Sequence, residues 1–247
     1  MDTRWMLLWF EAPLQSWGAD SKFSRRDTLE FPTKSGVLGL VLCAMGASGE
    51  QKDLLARFSN LKQTVLSFQY DRDSLLHDFQ MIGSGYDSKN KWQKNFIPKK
   101  ADGDVPTNSD GTKLTHRYYL QNAVFAVLLE VPADLTETIA NALQNPVYPI
   151  YLGRRCCVPT DFVYQGEFAS ENEAEQAAKE YAAKKSELRN ENLPDYAKKS
   201  LSLNFKVIDG DFPEKGDVFT LNDVPIQFGT QKMYRDRRVT KISEGLS

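Results

Sequence analysis

Dense apolar blocks alternate with polar loops along this chain. Residues 4–13, RWMLLWFEAP, are apolar at odd and even positions alike and close at Pro13, which predicts a central strand covered on both faces. Residues 33–46 are apolar all round, with Thr33 placed as an N-cap and Gly46 and Gly49 marking the end. That pattern predicts a helix buried on more than one side. KQTVLSFQYD (62–71) predicts a second strand, and YYLQNAVFAVLLEVP (118–132) a third, strongly buried one. In ADLTETIANALQNP (133–146), Leu135, Ile139, Ala142 and Leu143 make the apolar stripe of an amphipathic helix that stops before Pro146. VYPIYLGRRCC (147–157) predicts a fourth strand ending in two arginines. The order strand, helix, strand, strand, helix, strand is the split βαβ or ferredoxin-like plan of an α+β fold.

Two stretches depart from this rhythm. Residues 74–116 lack a clear period and hold Gly83, Gly85, Gly103, Gly111, Pro98 and Pro106, yet keep Phe79, Tyr86, Trp92 and Phe96. Connections this long are usually functional or disordered, and the aromatics argue against disorder, so a projecting hairpin is expected. Beyond Pro159 the polar, alanine-rich run 169–192 predicts an exposed helix or mobile lobe, followed by three short strands of a small C-terminal sheet. The expected division is a ferredoxin-like body over 1–160, with 75–116 inserted, and a C-terminal helical and β subdomain over 161–247.

Composition narrows the class. The 247 residues are 41% hydrophobic and 26% charged, typical of a water-soluble globular protein with room for one large core. No apolar run approaches the roughly 18 residues of a membrane span, and the first residues do not resemble a cleavable signal. Cys43, Cys156 and Cys157 form no CxxC and cannot pair evenly, which suits reduced thiols in the cytoplasm. The net charge of −2 argues against a generic nucleic-acid glue. Its distribution is uneven, however: residues 229–241 carry five bases and one acid, residues 167–191 seven acids and four bases. Such sorting fits either one basic surface for a polyanion or two solvated segments.

The helix at 33–46 sets Gly36, Gly39, Cys43 and Gly46 along one face. Helical glycines each cost roughly 1 kcal/mol against alanine, so close packing against its sheet or a neighbouring subunit is the expected gain. Lys34 and Ser35 precede the glycine, so this is not a GxxxxGK[ST] nucleotide loop. Two readings remain: a capped core helix, or a first turn whose free N–H groups hold a phosphate beside Lys34. His77 and His116, the only histidines, flank the insertion. They are too few for a zinc site and fit either structural residues or an acid–base pair acting on RNA. Asp102, Asp104, Asp209 and Asp211 lack EF-hand spacing and read as turn residues. HRYYL, LGRRCC and KMYRDRRV each put arginines beside cysteine or aromatic residues at strand ends. Arginine grips phosphate in two-pronged fashion, and tyrosine stacks on unpaired bases, so together with Lys22, Arg25 and Arg26 these motifs fit either single-stranded RNA binding or ordinary surface ion pairs.

The blocks APLQSWG, FPTKSGVLGL, LHDFQMIGSG, HRYYLQNAVFAVLLE and YPIYLGRRCCVP, in this order and spacing over residues 4–160, resemble the CasD family of type I-E CRISPR Cascade subunits, within the RAMP superfamily of RNA-binding proteins. The resemblance implies an RRM-like domain, a thumb hairpin over 75–116 and a smaller C-terminal β region. It implies a non-catalytic protein without cofactor or metal that grips the 5′ handle of the CRISPR RNA (crRNA). Its neighbours would be the repeated backbone subunits and the large subunit that reads the PAM, with target DNA met only through the guide duplex. Cleavage of repeat RNA without metal, as in type I-C relatives, is the alternative, with His77 or His116 and Tyr118 or Tyr119 as the cutters. On this reading the handle lies near Lys34 and Ser35, with Ser16 and Trp17 of the SWG loop and Lys22, Arg25 and Arg26 nearby. Arg154 and Arg155 should contact phosphate too. His77, Gln80, His116, Arg117, Tyr118, Tyr234, Arg235, Arg237 and Arg238 complete the expected RNA contacts.

Overall fold

The computed structural model describes residues 2–18, 24–70, 75–82, 103 and 113–243, with backbone alone at Ile82 and Lys113. In chain order the elements are β1 (Thr3–Glu11), β2 (Leu14–Gln15), β3 (Arg25–Arg26), α1 (Lys34–Ala44), α2 (Lys52–Phe58), β4 (Gln63–Gln69), β5 (Leu75–Ile82), β6 (Lys113–Gln121), β7 (Val124–Pro132), α3 (Thr136–Gln144), β8 (Tyr164–Phe168), α4 (Glu171–Asn190), β9 (Ser202–Asp209), β10 (Asp217–Gln227) and β11 (Met233–Ser243). Seven strands form one antiparallel sheet in the order β10-β11-β9-β4-β7-β1-β8.

β1 lies inside that sheet, and its unbroken apolar run serves both faces. Met6, Leu8 and Phe10 enter the core shared with α1 and α3, while Trp5, Leu7 and Trp9 enter the core shared with α4. The α4 face is closed by small side chains: Ala174, Ala178 and Ala182, one turn apart, are buried there. Ser170 caps α4 by accepting from the Glu173 amide, and Glu173 reaches back to the Ala169 amide.

A second sheet stands off the first. β6 pairs with β5 along one edge and, along the other, with β2 antiparallel and β3 parallel. Together β5 and β6 make a two-stranded arm; residues 83–112, apart from Gly103, lie outside the described residues, as does Lys22.

Three expectations need correction. The single strand expected over 118–132 is two, β6 and β7, parted at Asn122, whose φ of 52° turns the chain from one sheet to the other. Residues 147–157 are a looped segment, and the fourth strand is instead β8, farther along the chain. The C-terminal strands form no separate sheet, because β9 pairs with β4 and extends the main one.

Candidate nucleic-acid interface

One side of α1 is open. Val37, Leu38, Leu40, Val41 and Leu42 are buried, whereas Ser35, Gly36, Gly39 and Cys43 form the floor of a groove of about 660 Å³. A Cβ at Gly39 would meet nothing within 4 Å, while one at Gly36 would press on Trp17 and Thr33. Gly39 therefore lines open space, while Gly36 lies closely packed under Trp17. Tyr148, Tyr151, Arg26 and Arg154 also line the groove, as do Phe228, Lys232 and Tyr234 from the C-terminal strands and the turn between them. Burial raises the Tyr234 phenol above its ordinary pKa, so it is a neutral donor and stacking surface. Cations and aromatic rings around a floor of small residues suit an unpaired nucleic-acid strand, whose backbone is anionic and whose bases stack.

The arm carries a second group. Alternation puts Leu75, His77, Phe79 and Met81 of β5 on one face with Leu114, His116, Tyr118 and Leu120 of β6. The His77 Nε2 and His116 Nδ1 atoms lie 2.9 Å apart, sharing a hydrogen bond. The His77 ring lies 4.6 Å from Tyr118, and Phe79 lies 5.0 Å from His116. Arg25 sits 4.9 Å above the Tyr118 ring, and Asp27 raises its pKa through a hydrogen bond and charge. The outer part of this file is exposed, with Phe79 and Met81 each at 54%, while Leu120 at its base packs on the main core. Gln80 and Arg117 face the other way; Gln80 donates to Asp78 at 2.9 Å.

Of the residues expected to meet RNA, Ser16, Arg26, Ser35, Arg154 and Tyr234 come together around the groove, and Arg25, His77, His116 and Tyr118 on the arm. Others do not reach either place. Lys34 is 1% exposed and donates to the Leu61 carbonyl. Its burial pulls the pKa down to about 8. The first-turn N–H groups of α1 are engaged as well: Gly36 N donates to Thr33 Oγ1, and Lys34 N donates to Asp223 Oδ2 at 2.7 Å. The helix start is thus capped by Thr33 and Asp223, which take up two of the N–H groups a phosphate would need. Arg237 is part of the same buried cluster, bound to Asp223 and Asp209. Burial pulls down on its guanidinium, but the two carboxylates outweigh this and raise its pKa. Trp17 lies at the groove's edge with its ring in the core, stacked on Phe10 at 5.3 Å and 1% exposed. Arg235 donates to Ser59 O and Asn60 Oδ1, and Arg238 pairs with Asp211 at 3.0 Å. Arg155 is exposed, outside the residues that line the groove.

Sequence reading passed over Tyr148, Tyr151, Phe228 and Lys232 as groove residues. Their only signal was aromatic or basic character in segments assigned to strands or turns. Among the described residues there is no group of three or more metal-ligating side chains, and no helix is long and apolar enough to cross a membrane.

A family model described as CRISPR-associated protein (Cas_Cas5) matches residues 5–240. The chain belongs to the Cas_Cas5 family. The family match continues through β9, β10 and β11, well past the 4–160 span of the sequence resemblance. A curated relative, the CRISPR system Cascade subunit CasD of Escherichia coli (strain K12), is 29% identical over 169 residues, 66% of this chain and 70% of the relative. A chain of a solved CRISPR RNA-guided surveillance complex is 26% identical with a TM-score of 0.66, covering 97% of this chain and 89% of that one. A second solved structure, described as a Cas protein, is 25% identical with a TM-score of 0.55, and 98% of each chain is covered. The two solved structures are similar to this chain in its mixed α/β build around a large antiparallel sheet.

Proposed function

We propose that this chain is a non-catalytic subunit of a type I-E CRISPR Cascade complex and binds the 5′ handle of the crRNA in the groove along α1. The observation that carries the reading is the groove itself: Arg26 and Lys232 supply charge, Tyr148, Tyr151, Phe228 and Tyr234 supply rings, and Gly39 leaves the floor bare. Family membership and the likeness to the Cascade subunit of E. coli give the assembly in which such a groove would work. The finer fold reading, a ferredoxin-like core with a thumb, draws on the order β8-β1-β7-β4 around two helical crossovers and on the β5–β6 arm. On this view the arm meets the RNA where the handle ends, beside backbone and PAM-reading subunits in the cytoplasm.

Binding of this kind needs electrostatics and stacking, not bond cleavage. A second reading, metal-independent cleavage of repeat RNA, is favoured by the convergence of His77, His116 and Tyr118. Against it, the two imidazoles are hydrogen-bonded to each other, so each has one ring nitrogen engaged by the other. Two experiments test these readings. The complex should co-purify with short RNAs of common 5′ sequence, and replacing Arg26, Lys232 and Tyr234 together by alanine should deplete them at least tenfold; undiminished RNA contradicts the groove assignment. Incubation of the purified protein with repeat RNA and EDTA should leave the RNA intact; products that vanish in His77→Ala or His116→Ala would establish the enzyme.

A further inference from the structure

The arm is joined to the body by little backbone. β2 and β3 give β6 two residue pairs each, and beyond them Leu76, Tyr119 and Leu120 pack on the main core. Arg154 lies at this junction. Its Nη1 donates to the Tyr118 carbonyl at 3.1 Å, and its Nη2 donates to the carbonyls of Arg26 at 2.8 Å and Asp27 at 3.4 Å. The guanidinium lies 4.6 Å over the Tyr119 ring. One side chain therefore ties the arm strand to the β3 segment that borders the groove.

The loop that presents Arg154 is itself pinned. Leu152 N donates to Cys157 O and Cys157 N to Arg154 O, both at 2.8 Å, and Ser16 N donates to Leu152 O. Gly153 has a φ of +96°, and a Cβ there would overlap the Ser16 carbonyl. A phosphate is best held by two parallel N–H groups of the guanidinium fork. Both two-pronged faces of the guanidinium use Nη2, and Nη2 is already turned to the Arg26 and Asp27 carbonyls, so a phosphate would have to displace them.

We propose that Arg154 is a positioning residue, which sets the β5–β6 arm against the groove and does not neutralise an RNA phosphate. The proposal rests on the RNA-binding reading for its affinity test, but not for its structural one. A phosphate contact shows itself in the salt dependence of binding: each one lost lowers the slope of log K against log salt by about 0.7 for a single strand. A displaced arm weakens binding without changing that slope.

The test uses the full chain and a fluorescein-labelled single-stranded RNA of the repeat sequence. Arg26→Ala and Lys232→Ala should each lower the slope by about 0.7. Arg154→Ala should weaken binding roughly tenfold with the slope unchanged, and Arg154→Lys should not restore it, because one ammonium cannot span the three carbonyls. A lowered slope in Arg154→Ala, or recovery in Arg154→Lys, overturns the proposal. Hydrogen exchange gives the independent arm: in Arg154→Ala the amides of residues 116–121 should exchange faster while those of β1 and β7 stay protected, and unchanged protection of 116–121 equally overturns it. Should Arg26→Ala and Lys232→Ala leave binding and slope untouched, the groove assignment fails, and the exchange result still decides the role of Arg154. Arg154→Lys carries both measurements if Arg154→Ala does not fold.

Discussion

Lys34 holds a buried amine, donating to the Leu61 carbonyl, and burial lowers its pKa from 10.5 to about 8. The unfolded chain keeps the higher value, so between pH 8 and 10.5 it binds more protons than the folded one, and stability rises with pH across that window. Chemical denaturation at pH 7.5 and 9.5 should show the native chain gaining roughly 2 kcal/mol relative to Lys34→Met. Equal pH dependence in the two would mean the amine is solvated. Gly153 makes the opposite demand, for the absence of a side chain. Gly153→Ala should destabilise the fold by roughly 2–3 kcal/mol in the same assay, since it adds a Cβ in left-handed backbone against the Ser16 carbonyl. Local sequence conveys neither role. Lys34, Ser35 and Gly36 have the look of an anion-binding turn, and what decides otherwise is Asp223, 189 positions away from Lys34. No local pattern reveals a cap supplied from that distance.

At the scale of elements, β1 was fully legible, because an apolar run on both faces has few alternatives to a central strand. α4 was half legible. Its composition announces a helix, but the buried stripe is alanine at 174, 178 and 182, too small to stand out from a polar background. Residues 147–157 misled for the converse reason: Val147 and Tyr148 are apolar yet 63% and 53% exposed, and the edge strand that takes their expected place is the mostly polar β8. α1 was placed correctly, and the close packing expected of its glycines holds at Gly36, under Trp17 and Thr33, but not at Gly39. The open position yields a paired prediction. Gly39→Ala should stabilise the protein by up to ~1 kcal/mol, as relief of a helical glycine does where nothing is crowded. Gly39→Trp should keep the fold and fill the groove, lowering RNA retention at least tenfold; retention equal to the native chain would move the RNA elsewhere.

For the molecule as a whole, the charge asymmetry in the sequence left open whether the bases form a free surface. Of the five bases in 229–241, Arg237, Arg238 and Lys241 are bound to carboxylates of Asp209 and Asp223, Asp211, and Glu30. Only the Lys241–Glu30 pair reaches the body; the others join the C-terminal strands to one another, and it is the pairing of β9 with β4 that makes one seven-stranded sheet where a separate small one was expected. The same docking brings Phe228, Lys232 and Tyr234 to α1, so the groove exists only once both ends of the chain are folded together. The family match over 5–240 agrees with that unity. The most direct test is ultraviolet crosslinking of the assembled complex, with the crosslinked peptides mapped by mass spectrometry. RNA should be found on Tyr148, Tyr151, Phe228 or Tyr234 and on Tyr118 of the arm. Crosslinks confined to α4, on the far side of the sheet from α1, would contradict the account.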